Sequence, residues 1–136
     1  MTDKNLSWVN DIHEMHTKFS VHQVVDGFDA EKLKKFLEFR IKFLQEELDE
    51  MKTANNADDT VDALIDLCVV AIGTLDLFKV DADLAWKRVY NANISKEVGI
   101  KESRPNPLGL PDLIKPPGWV APTHVDNVGY IGKIFE

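Results

Sequence analysis

Apolar residues recur at intervals of three and four along most of the first ~98 positions, the spacing of one face of an α-helix. Trp8, Val9, Ile12, Met15 and Phe19 follow that spacing and predict a first helix over about Leu6–Phe19. After Gly27, Asp29 is a suitable N-cap for a second helix of about 25 residues, ending near Asn55 and Asn56. A third covers about Asp58–Lys79. Asp81 can cap a fourth that stops at Gly99, a natural residue for the position after a helix end. Strand-type alternation is absent, so the expected fold is all-α, a four-helix bundle-like arrangement.

Proline and glycine divide the chain. All six prolines lie between Pro105 and Pro122, and five of the seven glycines lie at or after Gly99. Residues 1–98 are therefore expected to form a helical domain and residues 99–136 an irregular, Pro/Gly-rich C-terminal tail. That tail carries Leu108, Leu110, Leu113, Ile114, Trp119, Val120, Tyr130, Ile131 and Phe135. This is more apolar surface than a solvated linker carries, so the tail is expected to lie on the bundle or on a partner subunit.

The second helix holds the first chemical anomaly. On a wheel with Glu46 at zero and about 100° per residue, Phe43, Phe36, Met51, Leu44, Leu37 and Leu48 fill an arc from roughly 60° to 220°. Glu47 falls inside that arc, at about 100°, while Glu46 and Glu50 lie along one edge. Asp49, Glu38 and Lys42 fall on the opposite, solvated side. The third helix repeats the anomaly. From Val61 to Ile72 it is apolar nearly all round, as expected of a central helix, yet Asp62 and Asp66 are set into it four residues apart, on one face.

A buried ionised carboxylate must be protonated, paired or bound to a cation. Arg40 is the one cation within the apolar arc of the second helix. Divalent metal resolves the conflict directly, because Mg²⁺ takes oxygen ligands and commonly combines carboxylates with substrate phosphates. Glu46, Glu47, Glu50, Asp62 and Asp66 are the candidate ligands for Mg²⁺ or Mn²⁺. The alternative is that these acids merely border solvent or pair with Arg and Lys.

Charge and composition narrow the partners. With 16 Lys+Arg against 23 Asp+Glu, the net charge is −7. Sequence-independent nucleic-acid binding, which depends on basic residues displacing counterions, is not expected, nor is adhesion to an anionic membrane. The length fits one domain. Cys68 is the sole cysteine and reads as an inert buried residue, with no disulfide and no zinc spacing. The N-terminus lacks the pattern of a signal peptide. The most apolar stretch, Val61 to Phe78, is interrupted by Asp62, Asp66 and Asp76 before the ~18 residues a membrane span needs. A cytoplasmic protein is expected.

Taken together, E-E-L-D-E at 46–50, D-A-L-I-D at 62–66 and N-A-N-I-S-K at 91–96 resemble the MazG-like all-α nucleoside triphosphate pyrophosphohydrolases. The nearest likeness is to a phosphoribosyl-ATP pyrophosphohydrolase-like branch common in bacteriophages. The first helix from Ile12 to Phe19, the Gly73-Thr74 pair and K-P-P-G-W at 115–119 add to it. Glu47 and Glu50 match the first family motif, E-x-x-E. In the second, E-x-x-D, Asp66 matches the aspartate, whereas Ala63 stands at the glutamate position with Asp62 one residue earlier.

The resemblance implies Mg²⁺-dependent hydrolysis of a (deoxy)nucleoside triphosphate to the monophosphate and pyrophosphate. A mild preference for a purine deoxynucleotide such as dGTP or dATP follows from the branch. It also implies a homodimer or dimer of dimers, with Glu46 or Glu47 accepting a proton from water and Asn93 and Lys96 touching phosphate. For Lys96 the competing role is to complement a helix C-terminus. Trp8, His13 and Phe19 are candidates for covering a base, although core packing is favoured for Trp8 and Phe19. His13 and His16, three apart, do not form the HExxH zinc helix, and a zinc site is not expected from them. Trp119 is expected over the site or a subunit boundary. Phosphoribosyl-ATP hydrolysis is the substrate alternative, and a non-catalytic helical oligomerisation or adaptor module is the alternative from another class.

Overall fold

A computed structural model describes residues 7–103 and 108–136. Leu6 and Pro105 lie outside the described residues. The elements are α1 (Trp8–Lys18), α2 (Val21–Asp26), α3 (Ala30–Thr53), α4 (Ala57–Leu77), α5 (Ala82–Ile94), strands β1 (Glu97–Gly99) and β2 (Asp112–Ile114), and a 3₁₀ turn, η1 (Gly129–Lys133). The protein is an all-α helical bundle with one small two-stranded sheet.

Side-chain caps set the helix starts. The Ser7 hydroxyl accepts from the Asn10 N–H, Asp29 from Lys32 N–H at 2.9 Å, and Asn56 from Asp59 N–H at 2.7 Å. Asn56 therefore opens α4 instead of closing α3, which stops at Thr53 because Ala54 turns extended. Between α1 and α3 the chain forms the short helix α2, which lies outside the four predicted helices. Ser20, at φ 57°, makes the reversal that separates α2 from α1.

The fourth predicted helix also ends early. α5 stops at Ile94, and Glu97–Gly99 pairs antiparallel with Asp112–Ile114, Val98 opposite Leu113. Gly99 is thus a strand residue. A Cβ there would collide with the Ile114 side chain.

The chain forms two compact units, residues up to Ala82 with Asp126–Glu136, and Asp83–Val125. In the first, α4 packs against α3 and α1. Its core is Val25, Leu33, Leu77 and Phe78, joined by Phe28, Phe36, Tyr130, Ile131 and Ile134. The last residues of the chain are pinned there: Tyr130 N–H donates to the Phe78 carbonyl at 2.7 Å, and its hydroxyl donates to Asp26 at 2.8 Å. Gly129, at φ 53°, is required because a Cβ would strike that same carbonyl. In the second unit, Trp119 Nε1–H donates to the Ala92 carbonyl at 2.7 Å, and the Lys96 and Lys115 ammonium groups lie over its ring.

α4 is not enclosed on all sides within one chain. Ala63, Val70, Gly73 and Leu77 are buried, but Val61, Leu64 and Ile65 form an exposed apolar stripe.

Candidate active site

α3 and α4 run antiparallel, and their register stacks three layers of contacts. In the first, the Phe36 and Phe78 rings stack at 5.4 Å. In the second, Arg40 reaches from α3 to α4, its Nε donating to Thr74 Oγ1 and its Nη2 to the Val70 carbonyl, both at 2.9 Å. Gly73 makes room for this crossing, since a Cβ there would lie 2.9 Å from Arg40 Nη2 and 3.3 Å from His16 Cε1. Burial lowers the Arg40 pKa, and both of these acceptors are neutral. The cation singled out from the sequence therefore braces the helix pair.

Carboxylates form the third layer. Glu47 and Glu50 of α3 and Asp66 of α4 each place one oxygen within 4.8 Å of the others. Glu47 is buried, Asp66 half-buried and Glu50 exposed. Glu47 Oε2 is enclosed and accepts no hydrogen bond. Burial raises the Glu47 pKa first, and Glu50, Asp66 and Glu46 raise it further. The Asp66 pKa is raised by burial, then by Asp62 and Glu50. Both shifts belong to acids withdrawn from water and crowded by other acids.

Glu46 and Asp62 are exposed and stand outside the converging trio, acting on it through their charge. The donor set fits a hard divalent cation: three carboxylate oxygens, one of them from a buried residue whose Oε2 has no hydrogen-bond partner. Such an ion would offset the crowding of like charges around Glu47 and Asp66.

The remaining candidates belong to other elements. Asn93 is exposed on α5, and Lys96 follows the helix end, its N–H donating to the Asn93 carbonyl at 3.1 Å and its ammonium 5.3 Å from the Trp119 ring centroid. Both belong to the second unit. Core packing does not hold for Trp8 or Phe19, which are 58% and 66% exposed, because the apolar face of α1 extends past what α4 covers. His13 is on the surface, bound to Asp76 at 2.7 Å. Cys68 is half-buried.

The sequence reading missed a second polar cluster. Asp76, in the last turn of α4, receives His13, His16 and His22 from α1 and α2. The only signal available was the shared face of His13 and His16.

Among the described residues no helix is long and apolar enough to cross a membrane. A search of curated proteins finds no match. Residues 13–93, more than half of the chain, match the phosphoribosyl-ATP pyrophosphohydrolase (PRA-PH) family and span both carboxylate-bearing helices. The chain belongs to that family, the phosphoribosyl-ATP pyrophosphohydrolase branch of the MazG-like all-α pyrophosphohydrolases.

Proposed function

We propose that the chain hydrolyses the α–β phosphoanhydride of a nucleoside triphosphate, releasing the monophosphate and pyrophosphate, with Mg²⁺ held by Glu47, Glu50 and Asp66. The carrying observation is the convergence of these three carboxylates, one oxygen of each within 4.8 Å of the others, with Glu47 buried. When bound, the cation supplies charge neutralisation to the polyphosphate and to its transition state.

The chain's own residues account for the rest. Glu47 is better suited than Glu46 to take the proton of the attacking water, because it belongs to the converging trio and its Oε2 accepts no hydrogen bond. Water adds at the α-phosphorus, its proton passes to Glu47, and the α–β bridging oxygen leaves with pyrophosphate. Glu46 and Asp62 add negative potential that favours cation uptake. Asn93 and Lys96 are assigned to phosphate oxygens, with Lys96 held in place over Trp119. Trp8 and Phe19, exposed on α1, offer flat apolar surface for a base.

A purine deoxynucleotide such as dGTP or dATP is the substrate we favour, and a soluble cytoplasmic setting in a bacterium or phage-infected cell accords with the acidic chain. Phosphoribosyl-ATP is the second reading, supported by the family match, and it presents the same triphosphate to the same acids. The exposed stripe of Val61, Leu64 and Ile65 supports a homodimer, or a dimer of dimers, that covers α4. The test is to incubate the protein with each NTP, each dNTP and phosphoribosyl-ATP, with Mg²⁺ or EDTA, and resolve the products. Metal-dependent monophosphate (from phosphoribosyl-ATP, phosphoribosyl-AMP) and pyrophosphate are expected. Diphosphate and phosphate would overturn α-phosphorus attack, and no turnover of any substrate would favour a non-catalytic helical module.

A further inference from the structure

Three of the four histidines in the chain meet at one carboxylate. His13 Nδ1 lies 2.7 Å from Asp76 Oδ1, while His16 Nδ1 and His22 Nε2 lie 2.6 and 2.7 Å from Oδ2. The His13 and His22 rings are 4.7 Å apart, and His22 meets His16 edge-on at 5.7 Å. The side chains of His16, His22 and Asp76 are nearly buried, whereas that of His13 is 60% exposed and leaves a path from solvent.

One atom each of His13, His22 and Asp76 lies within 4.8 Å of the others. Two imidazole nitrogens and a carboxylate oxygen, from three different helices, make a donor set unlike the all-oxygen trio. Asp76 follows Asp66 by ten residues on the same helix, about 15 Å along its axis. Imidazole nitrogen suits Zn²⁺, Co²⁺ or Ni²⁺, whereas carboxylate oxygen suits Mg²⁺. His16, hydrogen-bonded to the same carboxylate, is placed to orient it as a supporting partner would.

We propose that His13, His22 and Asp76 form a second metal site, selective for a late first-row divalent cation such as Zn²⁺, which ties α1 and α2 to the last turn of α4. The fourth position faces solvent beside His13. On binding, the imidazole nitrogens that face Asp76 present lone pairs, and any ring proton they carried moves to the far ring nitrogen or to solvent. The site is independent of the proposed hydrolysis, since none of its ligands belongs to the acidic trio.

The test uses the full chain, stripped with a chelator and titrated with Co²⁺ or Zn²⁺ beside Mg²⁺. Wild type should take up one equivalent of Co²⁺ with visible absorption of a nitrogen- and oxygen-ligated ion, and Zn²⁺ should raise its melting temperature. His13→Ala, at the exposed ligand, should weaken Zn²⁺ at least roughly tenfold without loss of the fold, and His22→Ala should do the same. Asp66→Asn should keep the Zn²⁺ response while losing that to Mg²⁺, which separates the two sites. Equal Zn²⁺ affinity in His13→Ala and wild type, or loss of Zn²⁺ binding in Asp66→Asn alone, would overturn the proposal.

Discussion

Replacing Glu47 by Gln should stabilise the metal-free protein and abolish its response to Mg²⁺. One Glu47 oxygen lies within 4.8 Å of one oxygen each of Glu50 and Asp66, and Oε2 has no donor. Two like charges at that separation repel by about 1 kcal/mol at the dielectric of water and about 3.5 kcal/mol at an effective value of 20. Glu50 is exposed, so the lower figure applies, and removing the Glu47 charge relieves about 2 kcal/mol from the two neighbours together. The gain corresponds to roughly 6–10 °C in melting temperature for a chain of this size.

The sign with pH follows from the direction of the shifts. Glu47 and Asp66 hold their protons more tightly when folded than at their ordinary values of 4.5 and 3.8. The folded state therefore binds more protons above those values, and stability falls as pH rises toward the raised folded pKa values. In EDTA, wild type should lose stability across that window, and Glu47→Gln should lose much less. Mg²⁺ at a hundredfold excess over its dissociation constant should return about 2.7 kcal/mol to wild type and little to the variant. Melting curves in EDTA and in Mg²⁺, across this pH range, measure both effects, and a turnover assay should find the variant inactive. A variant less stable than wild type in EDTA would show that the carboxylate has a donor after all. An equal Mg²⁺ shift in both proteins would remove the ion from this site.

Four further outcomes are expected. Gly129→Ala forces a Cβ at φ 53° against the Phe78 carbonyl; it should cost about 2–4 kcal/mol in urea unfolding, and less than about 1 kcal/mol would refute the steric argument. Arg40→Lys cannot keep both the Thr74 and Val70 hydrogen bonds, and should cost about 1–2 kcal/mol. Tyr130→Phe should cost about 0.5 kcal/mol below pH ~10, with the two proteins converging above it, because the Asp26 contact raises the folded pKa and its contribution is lost as the phenol ionises. Lys96→Met should raise KM several-fold while leaving the melting temperature nearly unchanged; an unaltered KM would confine Lys96 to its contact with Trp119.

The clustering of carboxylates was legible because it depends on one helix pair. Helical period alone puts Glu47 inside the apolar arc of α3 and Glu46 and Glu50 at its edge, and the structure buries the first and exposes the other two. A short turn then folds α4 back on α3, so Asp66, four positions from Asp62, meets Glu47 by register. The same local logic found the Asp29 cap. Where the outcome depends on distant partners, the pattern could not supply it. The three residues of β1 are too few to show alternation, and they pair with a strand distant in sequence, so the helical pattern runs on past the end of α5. Apolar periodicity shows that Trp8 and Val61 face one side of their helices, but it cannot say what covers that side. The histidine cluster needs three elements at once. His13 and His16 share a face of α1, but His22 reaches Asp76 only because Ser20 turns the chain back, and nothing in local spacing points to that reversal. One helix hairpin can therefore bring a carboxylate cluster together in readable form, while a cluster joining three helices becomes visible only once the chain is folded.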